Sequence, residues 1–182
     1  MFRSILAVVF MMTLSSCTSY PPIKTEEYVD LERFMGDWYV IANIPTFIEK
    51  GAHNAIESYR LDDDGTIDTT FTFHQDNFDG EVKTYNPRGF IVDKQSNAVW
   101  GMRFIWPFKA EYRIVYVDKD YQHTIIGRSM RDYVWIMART PKVSDADYKA
   151  LIRIIKQQGY DTRKIEKIPQ QWKTSRITGV KP

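Results

Sequence analysis

Acid–base, nucleophilic and metal chemistry rest on a few side-chain types, and this chain carries few of them. There are three histidines, His53, His74 and His123, and one cysteine, Cys17. The histidines fall in loops or at the ends of apolar runs, far apart in the expected fold, and none has the cysteine for a partner. No Gly-x-Ser-x-Gly elbow, phosphate loop or metal-spaced cluster is present. The run Asp62-Asp63-Asp64-Gly65 looks superficially like a calcium loop. It lacks the full spacing and the closing Glu, and between two alternating runs it reads as a hairpin turn. No catalytic residue, metal ligand or cofactor is assigned, and the chain is read as a non-enzyme.

The chemistry of Cys17 is that of an attachment point. Residues 1–16, "MFRSILAVVFMMTLSS", combine an early Arg3, an apolar run and small residues. That is a secretory signal, too short for a permanent membrane helix. It ends in "LSSC", which resembles the lipobox of bacterial lipoproteins, where cleavage leaves a lipidated cysteine. An exported chain with a single thiol closes no internal disulfide, and lipidation accounts for both the number and the place of Cys17. Stable anchoring needs more than one acyl chain, and in the lipoproteins this cysteine carries several. Thr18 in place of Asp favours the outer membrane by the same resemblance, with the folded part facing the periplasm. Residues 17–29 read as the lipidated cysteine and a polar tether with two prolines.

The elements that must position any site follow from patterning. With 182 residues, a net charge of +2 and no arginine-rich run, the chain has one-domain length and makes no case for nucleic acid. Eight short alternating runs, from "DWYVIANI" to "YVWIMART", are separated by turn residues. They predict an all-β fold, an eight-stranded antiparallel up-and-down barrel. One segment, "SDADYKALIRIIKQQG", has helical period, with Ser144 as N-cap and Gly159 as its end. It predicts a C-terminal α-helix packed outside, followed by a short ninth strand. The barrel and helix span residues 30–168, and 169–182 read as a polar, loosely held tail.

Three separated pieces agree in order: "GDWY" opening the first strand, "VDKDYQHTII" turning from the sixth to the seventh, and "WIMARTP" closing the eighth. Together they resemble the lipocalins, and among them the bacterial lipoprotein lipocalins and their relative apolipoprotein D. The resemblance implies a closed base in which Trp38 is the plug and Arg139 lies across its indole, a cation–π contact of about 0.5–2 kcal/mol. It places Gly36 at a sharp bend and Asp118 and Tyr121 at the adjoining turn. These five residues are structural.

Strand alternation, anchored on Trp38 and Arg139, predicts the residues that face inward. They are Val40 and Ala42 in the first strand, and Thr69, Phe71 and Phe73 in the third. Phe90 and Val92 follow in the fourth, and Met102 or Phe104 in the fifth, where a bulge could change the parity. Tyr112, Ile114 and Tyr116 come from the sixth, and Trp135 and Met137 from the eighth. Glu57 shares the inward parity of Tyr59, and a carboxylate in an apolar cup is costly unless paired or protonated. Arg88, Arg103 or Arg113 could reach it; in a different register it would be solvated. Trp106, Pro107 and Phe108 sit in a loop at the open end, either as local packing over the rim or as a lip for an apolar guest.

The expected function is binding, storage or transport of a fatty acid or lysophospholipid by a membrane-tethered barrel. The partners are that ligand and the membrane through Cys17, with a homodimer left open. Two alternatives remain: a filled barrel acting through its surface, and a lipocalin-fold enzyme acting on a lipid.

Overall fold

The computed structural model describes residues 21–172. The signal sequence, Cys17 and the last ten residues lie outside the described residues. A single helical turn, α1 (Leu31–Phe34), precedes β1 (Gly36–Ile44), β2 (Ala52–Leu61), β3 (Thr66–Gln75), β4 (Val82–Tyr85) and β5 (Arg88–Ile91). Then come β6 (Val99–Ile105), β7 (Phe108–Val117), β8 (His123–Gly127), β9 (Val134–Ala138), α2 (Asp145–Gln157) and β10 (Glu166–Lys167).

The strands pair in the order β1-β2-β3-β5-β6-β7-β8-β9, and β9 pairs back to β1, which closes an antiparallel barrel of eight strands. Closure leaves no free edge in the ring. Two further strands lie outside it: β4 pairs with β3, and β10 with β1. The fourth run of the sequence is thus two strands rather than one, interrupted at Asn86-Pro87, where proline has no N–H to give a ladder. β10 takes the part of β1 that β2 leaves, pairing at Ala42 and Asn43, while β2 pairs with Gly36 to Tyr39. That arrangement satisfies backbone groups that would otherwise be orphaned.

Two apolar clusters result. One lies inside the barrel around Trp38, Trp100, Phe73 and Ile114. The other lies between the outer wall and α2, joining Ile41, Ile44 and Ile136 to Leu151 and Ile155. The helix begins as expected, with the Ser144 side chain accepting from Asp147 N. It stops before Gly159, whose φ of 89° lies in the left-handed region.

Both polar flanks hold tighter than their composition suggests. Val29 is fully buried, Glu26 N donates to Ile114 O, and Arg131 donates to Pro21 O, so residues 21–29 run along the barrel. Gln170 Nε2 donates to Val40 O and Ala55 O, and Gln171 N to Asn54 Oδ1, so residues 169–172 are strapped down. Backbone and amide pairing of this kind leaves no apolar pattern in a sequence.

Candidate ligand-binding site

The base of the barrel is sealed around Trp38, which is wholly buried. Its Nε1 donates to Phe34 O at 2.8 Å, so α1 caps the barrel end. The Phe34 ring packs 5.2 Å from the indole on one side, and the Arg139 guanidinium lies 3.7 Å from the ring centre. Arg139 donates to the carbonyls of Arg33, Phe34, Met35 and Asp37. Burial lowers its pKa to about 10, still far above neutrality, so the cation persists. Gly36 holds φ at 90° beside it, a conformation costly for other residues.

The turn from β7 to β8 closes the same end. Asp118 accepts from the backbone N–H groups of Gln122 and His123 and hydrogen-bonds His123 Nδ1 at 2.7 Å. Tyr121, at φ 57°, accepts from Asp30 N and lies under the Arg33 guanidinium. All five motif residues therefore meet at the base.

Above the plug sits an aromatic layer. Trp100 and Tyr112 stack with centres 5.1 Å apart, and the Tyr59 and Tyr112 hydroxyls are 2.5 Å apart. Glu57 comes next, paired in register with Trp38 on one side and Phe71 on the other. Its carboxyl borders the cavity. Burial raises its pKa to about 7; a hydrogen bond from Tyr59 opposes the rise and the charge of Glu49 adds to it. Tyr59 and Tyr112 are pushed well above 10, by burial first and then by Glu57.

The arginines expected to reach Glu57 are engaged elsewhere. Arg88 pairs with Asp62, Arg113 with Glu111, and Arg103 lies over Phe90. Of the two readings of its register, Glu57 takes the inward one, but it has no cationic partner among the described residues.

The cavity over this floor holds about 520 Å³. Phe71, Tyr85, Met102, Tyr112 and Trp135 form its wall, and Phe47, Ile48, Phe104 and Ile105 its rim, with Arg128 among them. Such a volume with an apolar wall suits a slim hydrophobe. Arg128 ion-pairs with Asp132, yet its buried Nε has no hydrogen-bond partner. Glu49, also at the wall, is satisfied by Trp135 Nε1 and Thr46 N. At the mouth Phe47, Trp106 and Phe108 stand 85%, 77% and 76% exposed, so the Trp106 loop does not fold down over the rim.

Of the expected inward residues, Glu57, Phe71, Met102, Phe104, Tyr112 and Trp135 line the cavity. Val40, Phe73, Ile114 and Met137 belong to the inner cluster packed below and around it, and Thr69, in register with Tyr59, shares their face.

Four others point outward. Ala42 pairs with Ile136 beneath α2, because a bulge between Val40 and Ala42 reverses the parity and turns Asn43, opposite Trp135, inward. Tyr116 pairs with Ile125 on the outer wall after a similar bulge past Ile114. Phe90 is in register with Gly101, while its neighbour Gly89 takes the inward place against Met102. A Cβ on Gly89 would come within 3.0 Å of Ile67 and 3.1 Å of the Met102 sulfur, so the wall there has no room for a side chain. Phe90 lies outside under Lys109 and Arg103, with the Lys109 amine 3.7 Å from its ring centre. Val92 is 66% exposed, also off the inner face.

The histidines need correction too: His53 and His74 are direct cross-strand partners, not far apart. Among the described residues no group of three His, Cys, Asp or Glu could hold a metal ion. Phe47, Ile48 and Tyr85 were missed as lining residues. Tyr85 shares the alternation of Gly89, the opposite of that expected from Phe90 and Val92; the other two lie in the connection from β1 to β2, which has no period to read.

With this geometry in hand, comparison with known proteins is direct. Residues 29–170 match the family model of the lipocalin-like domain. The chain belongs to the lipocalin family. Temperature-induced lipocalin-1 of Arabidopsis thaliana is 33% identical to this lipocalin over 157 residues, covering 78% of the chain and 80% of the relative. Outer membrane lipoprotein Blc of Citrobacter freundii is 30% identical over 162 residues, covering 87% and 91%. Among solved structures, insecticyanin from the tobacco hornworm Manduca sexta superposes with a TM-score of 0.65 at 14% identity, over 86% of this chain and 87% of that one. The last likeness concerns the fold alone.

Proposed function

We propose that this lipocalin binds and carries small hydrophobic ligands, fatty acids or lysophospholipids, as a lipoprotein anchored in the outer membrane through acylated Cys17, with the barrel in the periplasm, and that it catalyses no reaction. The observation that carries this reading is the apolar cavity of about 520 Å³ above a sealed base. An acyl chain gains about 0.8 kcal/mol for each CH₂ removed from water. Arg128, which borders the cavity, suits a carboxylate or phosphate head left near the mouth. The exposed Phe47, Trp106 and Phe108 give an apolar guest a surface to meet on entry. The name of the Citrobacter relative, an outer membrane lipoprotein, supports the location.

A barrel acting only through its surface needs no lumen, and the open cavity argues against it. Native mass spectrometry of the protein released gently from membranes tests the reading. One acyl lipid retained per chain is the expected result. A chain that carries no lipid and takes up none on mixing would refute it.

A further inference from the structure

A cup for plain acyl chains has no use for a carboxylate at its floor, where the methyl end of a guest would lie. Glu57 stands there, in register with the plug residue Trp38, without a cation to neutralise it among the described residues. The other two carboxylates of the wall differ. Glu49 accepts from Trp135 Nε1 and Thr46 N, and Glu111 from Arg113 and Ser129. Glu57 has no such pair of donors: the Tyr59 hydroxyl that acts on it is also engaged with Tyr112.

An ionised carboxylate only accepts. The Tyr59 and Tyr112 hydroxyls beside Glu57 lie 2.5 Å apart and either can donate to the other. What Glu57 offers the lumen when ionised is therefore acceptors, the lone pairs of a carboxylate that borders the cavity and has no cation beside it.

We propose that the Glu57 carboxylate forms an acceptor site at the bottom of the cup that selects slim hydrophobes whose buried tip donates a hydrogen bond, a hydroxyl or an ammonium, over those that end in a methyl. This rests on the carrier reading and adds to it the chemistry of the guest's far end. A methyl tip strips Glu57 of water and returns nothing, whereas a donor tip replaces that water. Tyr59, Tyr112 and Glu49 are the titratable groups that act on Glu57 from the elements around it, and Glu111 and Arg128 stand farther up the wall. Preference for a donor tip rises with pH as Glu57 ionises, while affinity for a methyl tip falls.

The test compares dodecanoic, 12-hydroxydodecanoic and 12-aminododecanoic acids, and hexadecanoic with 16-hydroxyhexadecanoic acid, by calorimetric titration at pH 6 and pH 8. Wild-type protein and the variants Glu57→Leu and Glu57→Gln are compared. At pH 8 the donor-tipped acids should bind wild type about tenfold tighter than their methyl-tipped counterparts. Glu57→Leu should reverse that order, and the near-isosteric Glu57→Gln should bring the two classes close to parity. Methyl-tipped acids that bind wild type as well as donor-tipped ones, with the same order in Glu57→Gln, would overturn the acceptor site and leave the carrier reading intact. If no acid of either class binds wild type, the carrier reading falls and the acceptor site with it.

Discussion

The guanidinium of Arg139 lies 3.7 Å from the ring centre of Trp38, and so ties the end of the last barrel strand to the start of the first. The contact does more than plug a hole. Through four carbonyls from Arg33 to Asp37 the same cation holds α1 across the base, and α1 in turn accepts the indole N–H.

Removal of Arg139 therefore loses a cation–π contact and several charge-assisted hydrogen bonds, and leaves carbonyls unpaired in a half-buried place. Arg139→Ala should destabilise the barrel by about 3 kcal/mol. Arg139→Lys keeps the charge but not the planar fork and should recover only part of that. Urea unfolding followed by far-UV circular dichroism measures both. A loss below about 1 kcal/mol for Arg139→Ala would mean that the base is held by packing alone.

Glu57 makes stability depend on pH in an unusual direction. Its folded pKa, about 7, is above the ordinary 4.5. Between those values the folded chain binds more protons than the unfolded one, so stability falls as pH rises through the window and the full cost is present above it. Each tenfold change in a protonation equilibrium corresponds to about 1.4 kcal/mol, and lumen water softens the burial, so the cost above pH 7 is on the order of 2 kcal/mol. Glu57→Gln, which never ionises, should match wild type near pH 5 and exceed it by about that amount at pH 8. Urea unfolding at the two pH values checks this; equal stability at pH 8 would show that the carboxyl is well solvated.

Lipid attachment makes a separate prediction. Cys17→Ser should leave the chain without acyl groups and release it from the membrane fraction. Mass spectrometry of the intact variant decides, and acyl chains still present would rule out this residue as the anchor.

Much of this was legible because a barrel repeats a simple rule. Phe71 alternates with Thr70 and Thr72, and Met102 lies between Gly101 and Arg103, so their faces, like those of Trp38 and Trp135, follow from period two. The base was legible for another reason: Gly36, Trp38 and Arg139 combine residue types that few other arrangements require together. What failed did so where the period broke or its marker was silent. The bulges after Val40 and Ile114 each add a residue that sequence alone does not announce, and so Ala42 and Tyr116 were placed on the wrong face. At Gly89 the inward position carries no side chain, so the large neighbour Phe90 was mistaken for it. The lack of a cation for Glu57 was hidden as well, because Asp62 and Glu111 engage Arg88 and Arg113 across strands and turns far from it in sequence.

Carriage by this barrel requires that the guest lie inside the cup. Phe71 lines the wall and is in register with Glu57, so an arginine placed there would fill the lumen while pairing with a carboxylate already present. The decisive experiment is titration of a fluorescent sixteen-carbon fatty acid into wild type and Phe71→Arg, with circular dichroism to verify the barrel. Wild type should bind saturably at one to one, and the folded variant should lose at least about tenfold in affinity. Equal affinity in the two proteins would place the ligand outside the cup and contradict the carrier reading.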